Sequence, residues 1–230
     1  WDKEFEQLTL IRDRIGEKPL YYGWQGSGSN KVFLFGSELK ALKKHPQFIN
    51  EIDRGSLALY MRYCYVPAPH SIYKGIMKVE PGTIVTVTLK ESEHTTEKYW
   101  NALDVVRTGA ESPFEGTVDE VTNNLDIALR NAISQQMVAD VPLGAFLSGG
   151  IDSSTVVALM QAQSSKPIKT FTIGFSETGY NEAEFAKLVA GHLGTEHTEL
   201  YVSSQDALNV IPKLPNLYCE PFADASQIPT

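Results

Sequence analysis

The stretch Leu147–Ser154 reads LSGGIDSS and joins an apolar segment to a helical pattern through small residues. The four residues at 144–147 (GAFL) are typical of a short buried strand, and the sequence from Ser153 (SSTVVALMQAQ) predicts a helix. The serine and two glycines at 148–150 add almost no side-chain bulk, so the backbone of this turn can approach a ligand closely. The spacing therefore predicts a strand, a tight turn and a helix start.

This turn carries groups that suit the phosphates of a nucleotide. The start of a helix offers unpaired N–H groups and the positive end of its dipole, and the hydroxyls of Ser148, Ser153 and Ser154 add hydrogen bonds. The carboxylate of Asp152 would repel phosphates unless Mg²⁺ lies between them and binds both. The turn lacks the lysine of a Walker A loop and the spacing of a Rossmann loop. The alternative is a glycine turn without a ligand, in which Ser153 is an ordinary helix cap.

A second position supports a nucleotide. The next predicted strand, 168–175, ends in Ile173 and Gly174. If this strand is a parallel neighbour, its carboxyl end lies beside the turn, where open α/β sheets bind ligands. Backbone groups at Ile173 and Gly174 can then contact an adenine edge, and the Ile173 side chain can cover its face. The alternative is a buried strand with a terminal glycine.

The C-terminal half alternates between helices and strands. A capping-box pattern at Thr117–Glu120 opens a helix, and a helix at 181–193 and a strand at 197–202 follow the strand at 168–175. This alternation predicts a parallel α/β sheet. His192, and His197 in that last strand, fit no zinc spacing and are expected to be ordinary solvated histidines.

The first hundred residues follow a different pattern. Residues rich in β-formers predict strands at 6–12, 19–24, 31–35 and 82–89. Helical spacing predicts short helices at 37–44 and 56–65. The first three strands are expected to form an antiparallel meander. Because the polar stretch 108–116 resembles a linker, two domains are predicted, at 1–108 and 109–230.

Composition excludes several classes of protein. The chain has 20 Lys+Arg against 28 Asp+Glu and a formal charge of −8, which argues against nucleic acid as a partner. No apolar run approaches the roughly 20 residues of a membrane helix, and no signal-peptide pattern opens the chain. Cys64 and Cys219 are too few for a disulfide framework or a four-ligand zinc site. A cytoplasmic location and no membrane partner are therefore expected.

The LSGGIDSS stretch resembles the pyrophosphate loop of N-type ATP pyrophosphatases, and its surroundings narrow the resemblance. Glutamine-hydrolysing asparagine synthetases have similar segments, here DVPLG at 140–144, FTIGF at 171–175, YNEAEFA at 180–186, HLGT at 192–195 with His197, and EPFADASQIPT at 220–230. The front of the chain resembles the closing part of their class II glutaminase domain, in RDRIGEKPLYY at 12–22, GSELKAL at 36–42 and IYKGIMKVEPG at 72–82.

This resemblance implies a fold and a chemistry. The fold would be α+β and then α/β: the C-terminal half of an Ntn-type antiparallel glutaminase domain, followed by the first part of a parallel-sheet domain like the adenine-nucleotide α-hydrolases. In that family a cysteine hydrolyses glutamine, and ATP with Mg²⁺ activates aspartate as an acyl-adenylate. Ammonia then gives asparagine, with release of AMP and pyrophosphate. Aspartate, glutamine and ATP are the implied small-molecule partners, and a homodimer is compatible with the resemblance.

The resemblance also assigns roles to residues. Leu147 and Ile173, with Gly174 beside it, match backbone contacts to the nucleotide, and Asp152 matches a magnesium ligand. The pyrophosphate loop is matched by Ser148, Gly149, Gly150, Asp152, Ser153 and Ser154. The glutaminase cysteine and a later acid-rich loop have no match, so the chain is expected to be an internal fragment without a catalytic residue, inactive by itself.

Alternatives stay open at this stage. In a second hypothesis the acceptor is another carboxylate, as in related adenylating amidotransferases and β-lactam-type synthetases. A non-catalytic nucleotide-binding fragment is a third hypothesis. Glu220, Asp224 and Gln227 lie in a matched segment and are hypothesised to border the acceptor substrate. For these three residues the alternative is a surface loop that leads into a helix.

Overall fold

The structure is a computed structural model, which describes residues 1–88, 94–175 and 182–224. Packing divides these residues into two units. Unit 1 comprises residues 1–113 together with 212–224, and unit 2 comprises residues 114–211. We call residues 212–224 the return segment, because there the chain rejoins unit 1. The predicted domains at 1–108 and 109–230 stay a prediction, since a packing unit and a family domain need not coincide.

Unit 1 contains two antiparallel sheets of three strands each. Its strands are β1 (Gln7–Ile11), β2 (Tyr21–Gln25), β3 (Val32–Gly36), β4 (Met77–Lys78), β5 (Thr83–Thr88) and β6 (His94–Lys98). One sheet has the order β1-β5-β6 and the other β3-β2-β4. The predicted meander is right for β2 with β3 but wrong for β1, which pairs with β5. The reason is burial, because Leu10 of β1 packs with Val85 and Val87 of β5.

Among its described residues, unit 1 has three α-helices before the return segment, and side-chain caps start the second and third of them. They are α1 (Leu39–Leu42), α2 (Arg54–Tyr63) and α3 (Ala102–Glu111). Helix α2 begins earlier than predicted because the Asp53 carboxylate accepts the Ser56 N–H at 2.8 Å. Asn101 caps α3 in the same way, accepting the Leu103 N–H at 3.2 Å. Residues 108–111 of the predicted linker therefore belong to a helix.

Strand β2 lies between two hydrophobic cores of unit 1. Successive side chains of a strand point to opposite faces, so Tyr21 and Tyr22 enter different clusters. The Tyr21 cluster also contains Leu39, Leu42, Val66, Ile72, Tyr73 and Ile76. The Tyr22 cluster contains Leu10, Val79, Val85 and Val87. Both sheets are thereby fixed to the same central strand.

Unit 2 is built on a parallel sheet with the strand order β7-β8-β9. Its strands are β7 (Gly144–Phe146), β8 (Lys169–Phe175) and β9 (Glu196–Val202). Its helices are α4 (Val118–Gln136), α5 (Ile151–Ala162), α6 (Ala183–Leu193) and α7 (Ser204–Val210). The predicted capping box at α4 is confirmed, since Thr117 N–H donates to Glu120 at 2.7 Å and Glu120 N–H to Thr117 Oγ1 at 3.3 Å. The predicted antiparallel and parallel regions are confirmed as well.

The core of unit 2 brings α5 and α6 against the end of β7. Leu147, Val157, Ala186 and Ala190 form one buried cluster. The turn comes so close to α6 that a Cβ added at Gly149 would lie 2.7 Å from the Phe185 Cβ and 2.8 Å from the Ala186 nitrogen. Gly149 also has a φ of +79°, which side chains disfavour. This position therefore requires glycine for two separate reasons.

The return segment completes unit 1 with α8 (Leu214–Leu217), which follows a 3₁₀ turn at Ile211–Lys213. Across the described residues, no helix has the length and apolar character needed to cross a membrane.

Replacing Leu39 tests the core around Tyr21. Leu39 is fully buried, so Leu39→Ala should lower the free energy of unfolding of unit 1 by about 2–5 kcal/mol. Urea unfolding followed by tryptophan fluorescence reports on this unit, because Trp1, Trp24 and Trp100 all lie in it. The control is Leu103→Ala, which removes a side chain that is 68% exposed and should change stability by less than about 0.5 kcal/mol. Equal shifts in both variants would contradict this core.

Replacing Gly149 tests the close approach of the turn to α6. Gly149→Ala should destabilise unit 2 by at least about 1–2 kcal/mol, because the added methyl group is strained at positive φ and meets α6. Hydrogen exchange of the α5 and α6 amides, read by mass spectrometry, measures this loss. Gly191→Ala is the control, since nothing lies within 4 Å of its added Cβ and alanine favours a helix. Faster exchange in the control than in Gly149→Ala would refute the packing described.

Candidate functional site

The end of β7 is fixed to its neighbour before the turn begins. Leu147 is 1% exposed, and its N–H donates to the Phe171 carbonyl at 2.9 Å. Its carbonyl accepts the hydroxyl of Thr172. Both polar backbone groups of Leu147 are thus bonded to β8, so the turn starts from a fixed point at the carboxyl edge of the parallel sheet.

Two serine hydroxyls hold the shape of the turn. The Oγ atoms of Ser148 and Ser153 lie 2.9 Å apart, at hydrogen-bond distance. The Ser148 N–H donates to Ser153 Oγ and the Gly150 N–H donates to Ser148 Oγ, each at 3.3 Å. The turn therefore closes on itself across five residues, and both hydroxyls lie at its surface.

Helix α5 starts directly from this turn without a side-chain cap. Its N-cap is Gly150, and among the residues that the structure describes no side-chain hydrogen bond caps the helix. The alternative role of Ser153 as the cap is wrong, because Ser153 lies inside the helix and its hydroxyl donates to the Gly150 carbonyl at 3.3 Å. A helix of 12 residues with an uncapped start presents N–H donors and a positive dipole end to an anion.

Asp152 is the acidic residue of this first helical turn. It is exposed, as is Ile151 beside it, which is 86% exposed. Among the described residues, no three His, Cys, Asp or Glu side chains come together around a common point. In proteins, Mg²⁺ commonly binds one or two carboxylates, and phosphates and water fill its remaining positions. A single exposed carboxylate next to open N–H groups therefore fits a Mg²⁺ ion that protein and phosphates bind together.

The second predicted position lies at the carboxyl end of β8. Ile173 is half-buried and Gly174 is buried, and in the parallel register they pair with Leu200 and Tyr201 of β9. Ile173 directly follows Thr172, which contacts Leu147. The structure therefore brings the predicted base-contacting residues to one edge of the sheet. Residues 176–181, which include the start of the matched segment at 180–186, lie outside the described residues.

Ser154 is placed differently from the other two serines. Its Oγ is buried and has no hydrogen-bond partner among the described residues. It lines an open cleft of about 520 Å³ between α5 and α6, together with Thr155, Leu188 and His192. The structure thus joins Ser148 and Ser153 at the turn and leaves Ser154 on the side that faces α6.

Sequence patterns missed the residues that support the turn. Thr172 fixes Leu147, and Phe185 with Ala186 of α6 covers Gly149. The alternation of TFTIGF marks Thr172 as a strand residue but gives no sign of its bond to Leu147. Phe185 lies in the segment YNEAEFA, which the family resemblance picks out without indicating what this residue contacts.

An ion pair connects α6 to β9 close to these residues. Lys187 Nζ lies 3.1 Å from Glu199 Oε1, and the Tyr201 hydroxyl donates to Glu199 Oε2 at 2.9 Å. The hydrogen bond from Lys187 lowers the pKa of the Glu199 carboxyl, and the same bond raises the pKa of Lys187. The charges of Lys187 and Glu199 therefore compensate each other.

The expectation of a solvated histidine is wrong for His197. Its Nδ1 lies 2.9 Å from the buried Thr170 hydroxyl, and its Nε2 is buried. Thr170 also contacts Thr195 Oγ1 at 2.9 Å. This cluster lies where β8 and β9 begin, at the opposite edge of the sheet from the turn, so it does not contribute to the candidate site.

The three residues of the matched segment at 220–230 have separate outcomes. Glu220 packs in unit 1, and its side chain is 10% exposed and forms an ion pair with Lys78, so it is not a surface-loop residue. Asp224 is exposed. Gln227 lies outside the described residues. Their hypothesised role at the acceptor substrate stays a prediction.

Comparisons with known proteins match each part of the chain to a protein family. Residues 1–100 match the glutamine amidotransferase domain family, and residues 124–230 match the asparagine synthase family. The chain is 34% identical to the putative asparagine synthetase [glutamine-hydrolyzing] 2 of Methanocaldococcus jannaschii, over 100% of this chain and 43% of that protein. It is 33% identical to asparagine synthetase [glutamine-hydrolyzing] 1 of Bacillus subtilis, over 100% of this chain and 34% of that protein.

A mammalian relative shows the same pattern. The asparagine synthetase [glutamine-hydrolyzing] of Bos taurus is 31% identical over 93% of this chain and 36% of its own length. The chain thus spans between 34% and 43% of the length of these three relatives. With both halves matched in order, the chain belongs to the glutamine-hydrolysing asparagine synthetase family.

Proposed function

We propose that this chain provides the ATP-binding turn of an amidotransferase that makes asparagine from aspartate, ATP and glutamine-derived ammonia. The observation that carries the proposal is the uncapped start of α5 at the turn 148–150, with Asp152 in its first helical turn. The family match of residues 124–230 supports the choice of reaction. Aspartate and glutamine are the proposed partners, and the proposed location is the cytoplasm.

The turn would bind the phosphates of ATP through its backbone and two hydroxyls. The uncapped N–H groups of α5 and the hydroxyls of Ser148 and Ser153 converge on one surface, and the helix dipole favours negative charge there. Gly149 lies directly on α6 and has no side chain, so the turn carries no bulk at this position that would keep phosphates away. Ser154, whose Oγ lacks a partner among the described residues, is proposed to contribute from the side that faces α6.

Asp152 would hold Mg²⁺ together with phosphate oxygens. When bound, the ion neutralises the charge that builds up on departing pyrophosphate. The contribution of this chain is to keep one carboxylate at the helix start and N–H donors beside it. Without the ion, the Asp152 carboxylate would weaken ATP binding by repulsion.

The adenine is proposed to lie across the ends of β7 and β8. At Leu147 the N–H is already bonded to Phe171 and the carbonyl to Thr172, so only the second lone pair of that carbonyl remains for a nucleotide. Ile173 is half-buried and retains side-chain surface to cover the base. Gly174 adds no side chain that would block the approach. Recognition at this edge is thus proposed to depend more on β8 than on Leu147.

Unit 1 is proposed to be the closing half of an Ntn-type glutaminase domain. Its two antiparallel sheets and the match of residues 1–100 to the glutamine amidotransferase domain family support this. The cysteine that would attack glutamine is not proposed to be Cys64 or Cys219. Cys64 ends α2 in a left-handed conformation, and Cys219 is half-buried against the Tyr21 core.

The role of Asp152 is tested by Asp152→Asn. The variant should lose the Mg²⁺ dependence of ATP binding, while its affinity for ATP without Mg²⁺ should stay equal or rise, because a repulsive charge is removed. Isothermal titration of the 230-residue chain with ATP, with and without Mg²⁺, measures both quantities. Asp119→Asn is the matched control, since Asp119 is also the second residue of a helix, α4, but the start of that helix is capped by the Thr117 side chain.

Two outcomes would contradict the proposal. Mg²⁺ dependence that is unchanged in Asp152→Asn would exclude Asp152 as the magnesium ligand. In the full-length gene product, ATP-dependent product formation from a carboxylate other than aspartate, with none from aspartate, would favour a related adenylating synthetase. The proposal expects asparagine from aspartate, its loss in Asp152→Asn, and continued glutamine hydrolysis in that variant.

A further inference from the structure

Glu220 is a largely buried acid whose two carboxylate oxygens both have partners. Its side chain is 10% exposed, and one carboxylate oxygen accepts the Ile72 backbone N–H at 2.7 Å. The other oxygen accepts the Tyr21 hydroxyl at 3.2 Å and forms an ion pair with Lys78. All these partners come from the N-terminal part of unit 1. Glu220 therefore connects two segments that are far apart in the chain.

Lys78, the partner of Glu220 in this ion pair, is also largely buried and has further contacts. Its side chain is 14% exposed, and its ammonium group donates to the Val66 carbonyl at 2.5 Å in addition to its pair with Glu220. The ammonium also lies 5.9 Å from the centre of the Tyr21 ring. Because both charges are largely shielded from water and hydrogen-bonded, removing either one leaves the other buried without a counter-charge.

Tyr21 completes this group as a hydrogen-bond donor. Burial, and then the negative charge of Glu220, raises the pKa of the Tyr21 hydroxyl. The hydroxyl therefore stays protonated at neutral pH and donates to the carboxylate at 3.2 Å. Tyr21 belongs to the hydrophobic core of unit 1, so this bond attaches the return segment to the centre of that unit.

Further contacts hold the return segment on both sides of Glu220. Lys40 Nζ donates to the Leu217 carbonyl at 3.1 Å, and the Ala223 N–H donates to the Cys64 carbonyl at 2.7 Å. Cys219 packs against the Tyr21 core, and the Tyr218 and Phe222 rings meet edge to face with centres 4.6 Å apart. The segment is thus attached to unit 1 along most of its length.

The return segment packs in one unit but matches the family of the other. Residues 212–224 fall within the asparagine synthase match, yet they pack in the unit whose residues 1–100 match the glutamine amidotransferase domain. The segment directly follows residue 211, the last residue of unit 2 before it. Whatever fixes the segment on unit 1 therefore fixes synthase sequence on the amidotransferase unit.

We propose that Glu220, through its ion pair with Lys78, is a positioning residue that keeps the two activities coupled, and that it does not contact the acceptor substrate. This inference rests on the proposed function. Its physical basis is that ammonia released from glutamine reaches the second reaction only while the two parts keep their arrangement. A loosened return segment would then release ammonia to solvent, and glutamate would form without asparagine.

The test is Glu220→Gln in the full-length gene product. Gln keeps the shape and can still accept the Ile72 N–H, but it leaves the Lys78 charge unpaired. Asparagine synthesis from added ammonia should stay within about twofold of the wild-type rate. The ratio of glutamate to asparagine formed from glutamine should rise by about 5- to 150-fold, the usual range for coupling between two sites.

Matched variants separate this role from a general loss of stability. Glu51→Gln breaks the ion pair of Glu51 with Lys74, in which both side chains are more than half exposed, and should leave the ratio unchanged. Tyr21→Phe removes one donor to Glu220 and keeps the ion pair, so it should raise the ratio less than Glu220→Gln does. Hydrogen exchange should be faster at the amides of residues 217–223 in both Tyr21→Phe and Glu220→Gln.

Three results would overturn the inference. An unchanged ratio in Glu220→Gln would show that the pair does not couple the activities. Equal loss of ammonia-dependent and glutamine-dependent synthesis in Tyr21→Phe and Glu220→Gln would show a role in the acceptor site or in stability alone. Unchanged exchange at 217–223 would show that the pair does not hold the segment. A wild-type protein that makes no asparagine even from ammonia would instead refute the proposed function, while the exchange measurement still tests the ion pair.

Discussion

The attachment of Leu147 to β8 is the constraint on which the candidate site depends. Two bonds, from the Leu147 N–H to Phe171 and from the Thr172 hydroxyl to the Leu147 carbonyl, fix where the turn leaves the sheet. From that point the paired serines set the path of the turn, and Gly149 lets it lie on α6. The uncapped helix start is therefore presented by a rigid support, which is what binding a charged ligand without reorganisation requires.

Local patterns were sufficient where the structure is decided locally. The alternation of strands and helices predicts the parallel sheet, and Thr117 with Glu120 predicts the start of α4, because period and capping depend on near neighbours. The small residues at 148–150 likewise predict the turn. These features need no knowledge of distant contacts.

Features decided by distant partners were not predictable in this way. The pairing of β1 with β5 depends on burial of Leu10 against Val85 and Val87. The strand β6 (HTTEK) is polar, so only its backbone pairing with β5 reveals it. His197 looks like a solvated residue until Thr170 is placed beside it, and Glu220 looks like a loop residue until Lys78 is. For Leu10, His197 and Glu220 the deciding neighbour is at least 27 residues away in the chain, beyond any local pattern.

The discontinuous make-up of unit 1 has a consequence for synthesis on the ribosome. The 98 residues of unit 2, from 114 to 211, are translated between the two parts of unit 1. At about 5–20 residues per second, Glu220 emerges roughly 5–20 s after the N-terminal part is complete. During that interval the ammonium of Lys78 has no carboxylate from the return segment, and the Tyr21 core lacks Cys219. The three strands described for unit 2, β7 to β9, are all translated before Glu220, so this parallel sheet is available for pairing before the return segment joins unit 1.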